Sequence, residues 1–210
     1  MMFTLYFSPG SASWVVHWLL IDLELPHQLR RLDLSAGQQK STEYLALNPQ
    51  GVVPTMLIDG QPVWETAGLL LHLADLRPQA GLAPAVGSLQ RARYYQWMTH
   101  LSNGLQPWFR HWFYPQEAAG SGAEAEAKQT AGEAIEAHFN RLDRALHHGP
   151  YLLGNSPTAA DFLLTMLMRW SRNMPRPATS WPSLARLAAH MKARPSFALL
   201  NEREGLTEWT

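Results

Sequence analysis

Between Met2 and Leu76 the sequence switches repeatedly between strand-like and helix-like patterning, and beyond Gly87 it keeps only the helical one. Met2 to Phe7 is a β-rich run stopped by Ser8-Pro9-Gly10. Ser11 to Asp22 predicts a helix, with Ser or Gly available as its cap and Trp14, Val15, Trp18 and Leu19 on one side. Gln28 to Leu34 predicts a second strand. Ser41 to Leu47 predicts a short helix, with Glu43 favourably placed in its first turn. Thr55 to Ile58 and Gln61 to Trp64 flank Asp59-Gly60, a hairpin signal. An amphipathic helix from Glu65 to Leu76 completes a βαβαββα order.

Arg77 to Gly87 holds two Pro and two Gly in eleven residues and almost no periodicity, which marks a linker. The expected division is residues 1–77 as an α/β domain, 78–87 as the linker and 88–210 as an all-helical domain. Helical spacing recurs near Leu89 to Leu105, Ala123 to His147, Thr158 to Trp170, Pro182 to Met191 and Pro195 to Asn201. Pro107, Pro115, Gly149-Pro150 and the Met174 to Pro177 stretch separate them. Glu117 to Lys128, rich in Ala, Gly and Glu, reads as a loop leading into a polar-faced helix.

Composition narrows the function classes. Seventeen basic and 17 acidic side chains give a formal net charge of +0, so no global field draws nucleic acid or an anionic membrane. With no Cys, the chain forms no disulfide, iron–sulfur or zinc-thiolate site and offers no thiol nucleophile of its own. A cytoplasmic protein is the expectation. Met1 to Tyr6 lacks the pattern of a signal peptide, and the apolar run Trp14 to Ile21 is interrupted by His17 and too short to span a bilayer.

Local motifs carry a resemblance. They are Tyr6-Phe7-Ser8-Pro9-Gly10-Ser11-Ala12-Ser13-Trp14, Leu47-Asn48-Pro49-Gln50-Gly51-Val52-Val53-Pro54-Thr55-Met56, Trp64-Glu65-Thr66, and Tyr151-Leu152-Leu153-Gly154 with Thr158-Ala159-Ala160-Asp161. In this order, and after the βαβαββα pattern, they resemble the glutathione transferase family. The resemblance implies a thioredoxin-like N-terminal domain, an all-helical C-terminal domain, glutathione as co-substrate, and a cytoplasmic homodimer that detoxifies hydrophobic electrophiles. Its alternatives are a glutathione-dependent isomerase and a non-catalytic protein of the same fold that binds a ligand or a protein partner.

Each motif has a physical reading beside a plainer one. The bond before Pro54 adopts cis at modest cost, which would leave the Val53 N–H and C=O free; the resemblance implies that they pair with the cysteinyl residue of glutathione. The plainer reading is a Pro that starts an edge strand. Glu65-Thr66 stands at a helix N-terminus, whose free N–H groups suit a carboxylate. The resemblance implies that this pair holds the γ-glutamyl end, while the plainer reading is an ordinary cap with Thr66 as N-cap. Thr158 to Asp161 has the spacing of a capping box, and here a folding role is the expectation.

The resemblance implies attack by the glutathione thiolate, which needs a donor to the sulfur and a positive potential nearby. Ser11 ranks first as that donor, Ser13 second and Tyr6 third, and capping of the first helix accounts for at least one of the serines. Ala12 occupies the place where beta-class relatives carry Cys, so thiol–disulfide exchange should be poor. Gln39 and Lys40 stand where relatives contact the glycyl carboxylate, though loops are polar in any case.

Tyr94, Tyr95 and Trp97, then Trp108, Phe109, Trp112, Phe113 and Tyr114, concentrate aromatics in the first helices of the second domain. About half are expected in the core; the resemblance implies that the rest are shared between an electrophile pocket and a dimer surface. No metal site is expected: His147-His148 are adjacent and diverge on a helix, and no His-Glu-x-x-His occurs.

Overall fold

The computed structural model describes residues 1–120 and 122–209. It resolves into two compact units, one formed by Met1–Ala83 with Lys192–Thr210 and the other by Pro84–Met191.

The first unit is built on a four-stranded sheet in the order β2-β1-β3-β4: β1 Phe3–Phe7, β2 His27–Arg31, β3 Thr55–Ile58 and β4 Gln61–Trp64. Phe3, Leu5 and Phe7 alternate inward along β1, the period that buries one face of a strand. β2 runs parallel to β1, with Phe7 opposite Arg31. β3 is antiparallel to β1, with Tyr6 opposite Thr55, and β4 antiparallel to β3, with Thr55 opposite Trp64. The hairpin turns at Asp59 (φ 49°) and Gly60 (φ 83°). Pro62 is tolerated because β4 is the edge strand and exposed along its length.

These ladders set the geometry of everything that follows. The C-terminal ends of β1, β2 and β4 and the N-terminal end of β3 lie at one edge of the sheet. The turn after Phe7, the loop after Arg31, the Val53-Pro54 bond and the Glu65-Thr66 pair therefore share that edge.

The order β1, α1 (Ser13–Asp22), β2, α2 (Thr42–Leu45), β3, β4, α3 (Thr66–Asp75) is the expected βαβαββα. β2 stops short of Leu34 because Asp33 Oδ1 accepts bonds from the Ser35 N–H (2.9 Å), the Ser35 hydroxyl (2.6 Å) and the Ala36 N–H (3.1 Å), closing a turn. The Ser35 hydroxyl is the main cause that lowers the Asp33 carboxyl below its ordinary value. Helix α1 is buried on every side from Ser13 to Ile21, not along one stripe.

The further covering element is α9 (Pro195–Glu204), which packs on α1. Phe197 stands 5.8 Å from Trp14 and 5.2 Å from Trp18 between ring centroids, and Trp18 Nε1 donates to Ser196 Oγ at 2.9 Å. Arg194 grips Asp22 with two bonds of 2.9 and 2.7 Å, and Ser196 also bonds Asp22.

The second unit is helical: α4 Leu89–Thr99, α5 Gln106–Phe113, α6 Glu124–Ala145, α7 Ala159–Trp170 and α8 Pro182–Lys192. Pro107 does not break the first long helix as its sequence position predicts. A π-helical turn at His100–Leu105 widens the ladder just before it, and Pro107 falls in the first turn of α5, where its missing N–H costs no intrahelical bond. Gly104 in that turn makes room for an imidazole pair, with His138 Nδ1 3.3 Å from His100 Nε2; a Cβ at Gly104 would come within 3.3 Å of the His138 ring.

Of the aromatic run, Tyr94 and Phe109 are core, Tyr95, Phe113 and Tyr114 are exposed, and Trp97, Trp108 and Trp112 lie between. Ser121, within the Ala- and Glu-rich loop, lies outside the described residues. No helix among the described residues is long and apolar enough to cross a membrane.

Candidate functional site

The turn after β1 holds the serines. Helix α1 begins at Ser13 with Ala12 in the N-cap position, so Ser11 precedes the helix instead of opening it. Ser13 is fully buried, and its Oγ accepts the Ser8 N–H at 3.1 Å and lies 3.2 Å from the Ser8 carbonyl and 2.8 Å from Ser11 Oγ. Ser11 is half-buried; its hydroxyl donates to the Ser8 carbonyl at 2.7 Å, and its Oγ receives the Ser13 N–H at 3.3 Å. Ser13 is thus enclosed, while Ser11 keeps one side of its hydroxyl open. Tyr6, on β1, packs its ring 5.6 Å from that of Tyr44.

Across the same edge, the Val53-Pro54 peptide is cis. The segment before it is fixed from below: the Tyr44 hydroxyl (2.7 Å) and Asn48 Nδ2 (2.9 Å) both donate to the Val52 carbonyl, and both also reach Thr55 Oγ1. Burial is the main cause that pushes the Tyr44 phenol up from its ordinary value, keeping it a donor. Among the described residues the Val53 N–H and C=O have no partner. A buried residue just ahead of a strand, with both backbone groups unmet, is ready to pair with an extended ligand.

Glu65 sits after β4 with φ 82° and ψ 109°, a region that a residue bearing a Cβ occupies only when the surroundings enforce it. Helix α3 starts at Thr66, and its N-cap residue, Glu65, makes no capping bond. The plainer reading, with Thr66 as N-cap, therefore does not describe this helix. Thr66 is 6% exposed and its hydroxyl has no partner among the described residues. Strain, an uncapped N-terminus and an unused hydroxyl coincide at two adjacent residues.

Lys40 and Gln39 reach the same edge by another route. Lys40 Nζ donates to the Gln50 carbonyl at 3.1 Å, and Gln50 Nε2 lies 3.5 Å from Glu65 Oε1. Gly51, at φ 61°, lets the two loops touch: a Cβ there would stand 2.8 Å from both the Gln39 carbonyl and Lys40 Nζ. The Gln39 amide turns its Nε2 to the Leu34 carbonyl (3.4 Å), and its Oε1 is buried without a partner among the described residues.

Sequence reasoning missed Gln50, Tyr44 and a pair that supports the serine turn from the end of the chain. Glu204 on α9 accepts the Gly10 N–H through Oε2 at 2.9 Å, and its Oε1 lies 2.8 Å from His17 Nδ1, with both side chains fully buried. No spacing rule links residues 187 positions apart. Thr158 and Asp161 behave as the capping motif predicts and are remote in role from this edge. Asp161 accepts the Leu152 N–H (2.8 Å), the Thr158 N–H (2.7 Å) and the Thr158 hydroxyl (3.0 Å). Among the described residues no group of three or more His, Cys, Asp or Glu is placed to hold a metal ion.

A thioredoxin-like sheet with these groups at one edge, followed by a helical unit, defines a protein of the glutathione transferase fold. Comparison bears this out: residues 10–76 match the glutathione S-transferase N-terminal domain family and residues 103–199 the C-terminal domain family. A glutathione S-transferase of Xanthomonas campestris pv. campestris, GST-4.5, is 32% identical over 171 residues, covering 80% of this chain and 81% of its own. The maleylacetoacetate isomerase of Dictyostelium discoideum is 29% identical over 192 residues, covering 90% of this chain and 87% of its own. A solved glutathione transferase homologue from Sulfitobacter, with bound glutathione, superposes with a TM-score of 0.90 at 28% identity, covering 98% of this chain and 99% of that one. The chain belongs to the glutathione S-transferase family.

Proposed function

We propose that this chain is a glutathione transferase that binds glutathione at the sheet edge of residues 1–77, lowers the pKa of its thiol and directs the thiolate at a hydrophobic electrophile. The observation that carries the reading is the set of unmet groups at that edge: both backbone groups of Val53 and the hydroxyl of Thr66, next to a strained Glu65. Val53 pairs with the cysteinyl backbone ahead of Pro54, Thr66 and the start of α3 hold the γ-glutamyl carboxylate, and Glu65 takes its ammonium. Lys40 meets the glycyl carboxylate, with Gln39 beside it.

Ser11 is the activating donor and Ser13 positions it. A free thiol has a pKa near 8.5, so a bond that is stronger to the thiolate than to the thiol is what catalysis requires. With the Ser13 hydroxyl donating to Ser11 Oγ, the Ser11 proton can leave the Ser8 carbonyl for the sulfur. The start of α1 adds a positive potential. The thiolate then forms a C–S bond as the electrophile's leaving group departs with the bonding electrons.

The test joins retention on immobilised glutathione, turnover of an aryl halide, and the pH dependence of bound thiol ionisation in Ser11→Ala and Ser13→Ala. Ser11→Ala should raise the bound thiol pKa with the fold intact; an unshifted profile in both variants sinks the hydroxyl mechanism. Binding without turnover would favour a non-catalytic role.

The maleylacetoacetate isomerase relative favours a second reading, in which the thiolate adds reversibly to a carbon–carbon double bond, rotation occurs about the single bond this leaves, and expulsion of the thiolate restores the double bond in the other geometry. Isomerisation of maleylacetoacetate without net loss of glutathione would select it. The same proposal includes a cytoplasmic homodimer engaged in detoxification. The exposed Val63 and Trp64 on edge strand β4 support a self-association surface, which the mass in solution tests.

A further inference from the structure

The second unit holds a cavity of about 340 Å³ that the glutathione reading leaves unused. Trp108 and His111, one turn apart on α5, form one wall, and Glu126, Ala127 and Thr130 on α6 form the other. The rest of the lining among the described residues is alanine, so small side chains create the space. The volume lies at the lower end of the range for small-molecule sites, about 300–1,000 Å³.

The lining offers acceptors. Glu126 is its one formally charged residue and makes no hydrogen bond or ion pair among the described residues. His111 lines the cavity with its ring, but its Nδ1 is shielded from solvent and has no partner among the described residues. Thr130 adds a hydroxyl, and the Trp108 ring adds a face that attracts cations. Nearby cations are occupied elsewhere: Arg110 binds Glu117 at 2.6 Å, and Lys128 Nζ stands 4.7 Å from the Trp112 ring centroid. An anion would meet an uncompensated carboxylate, and a neutral apolar molecule would leave every acceptor unmet.

We propose that this cavity binds a small organic ammonium ion with an apolar body, its N–H donors directed at Glu126 and Thr130 and its body against Trp108. The site lies wholly within Pro84–Met191 and is independent of the glutathione reading.

Isothermal titration of the full chain with 2-phenylethylammonium tests it, with saturating glutathione present so that the other site is filled. Its neutral and anionic counterparts, 2-phenylethanol and phenylacetate, serve as comparisons. The ammonium should bind saturably at one site and each counterpart at least about fivefold more weakly, the scale of one partly exposed charge interaction. Glu126→Gln, at an exposed position, should weaken the ammonium by a similar factor without altering melting or aryl halide turnover. Ala127→Leu should fill the space and abolish binding in a folded protein. No saturable binding, equal binding of the alcohol, or an unchanged Glu126→Gln isotherm each overturns the proposal.

Discussion

Replacing Glu204 by Ala probes how the end of the chain supports the serine turn. Glu204 and His17 are both fully buried and 2.8 Å apart, and the second carboxylate oxygen holds the Gly10 N–H at 2.9 Å. Removing the carboxylate leaves the buried His17 Nδ1 and the Gly10 N–H without their partner, which costs about 1–3 kcal/mol for each group. Glu204→Gln keeps an oxygen for Gly10 and should cost only about 1–2 kcal/mol, near the value of a single buried hydrogen bond. Urea unfolding followed by tryptophan fluorescence measures both, since Trp14 and Trp18 lie in the contact between α1 and α9. Gly10 directly precedes Ser11, so the Ala variant should also lose activity. A shift of the hydroxyl by about 1 Å is enough to lower kcat/KM roughly 100-fold. If Glu204→Ala unfolds within about 0.5 kcal/mol of the parent, the buried-pair reasoning fails. If it is destabilised but retains full kcat/KM per folded molecule, the link from Gly10 to Ser11 fails.

Thr66→Val removes a hydroxyl that has no partner among the described residues. It should leave melting unchanged while the KM for glutathione rises about tenfold, the value of one hydrogen bond to a charged group, and Thr66→Ser should restore it; an unchanged KM refutes the role. Asp161→Ala strips the acceptor from two buried N–H groups and should cost about 2–5 kcal/mol, more than the 1–2 of a simple cap, with turnover per folded molecule intact. Burial is the main cause that pushes the Asp161 carboxyl up to about 6, against an unfolded value near 3.9. The folded chain therefore binds the extra proton between those values, and the contribution of Asp161 to stability falls as pH rises from about 4 to about 6, then levels. Asp161→Asn should remove that slope, and unfolding free energies measured across the window check its sign. Burial, with Arg141 and His100 adding repulsion, lowers the His138 imidazole to about 4, so its contribution has the opposite sign: stability is lost as pH falls from about 6.5 through about 4. His138→Gln should flatten that loss.

Much of the candidate site was legible as a pattern because it rests on short local rules. Glu65 and Thr66 follow a strand signal at a helix start, Val53-Pro54 follows Asn-Pro-Gln-Gly, and the Asp59-Gly60 turn fixes the register of β3 on β4. Ser11 and Ser13 were both visible as candidates, but spacing could not separate them. They differ in burial, Ser13 being enclosed and Ser11 half-buried, and no spacing rule shows that difference. Pro107 misled for a similar reason: a proline ends a helix unless the preceding turn can widen, and nothing local announces a π turn.

By itself the sequence determined the order of elements, since hydrophobic period, caps and turn residues act over a few neighbours. It also determined that any reactive sulfur must come from outside, because the chain has no Cys. The tertiary structure alone decided what encloses α1 and what steadies the turn before it. Helix α1 is apolar on all sides, so its pattern gives no direction for its partners. Its packing on α9, and with it the contact of Glu204 with Gly10 and His17, depends on shape fit between segments nearly the full length of the chain apart. Contacts of that separation leave no periodic trace in a sequence, and they exist only once the chain has closed on itself.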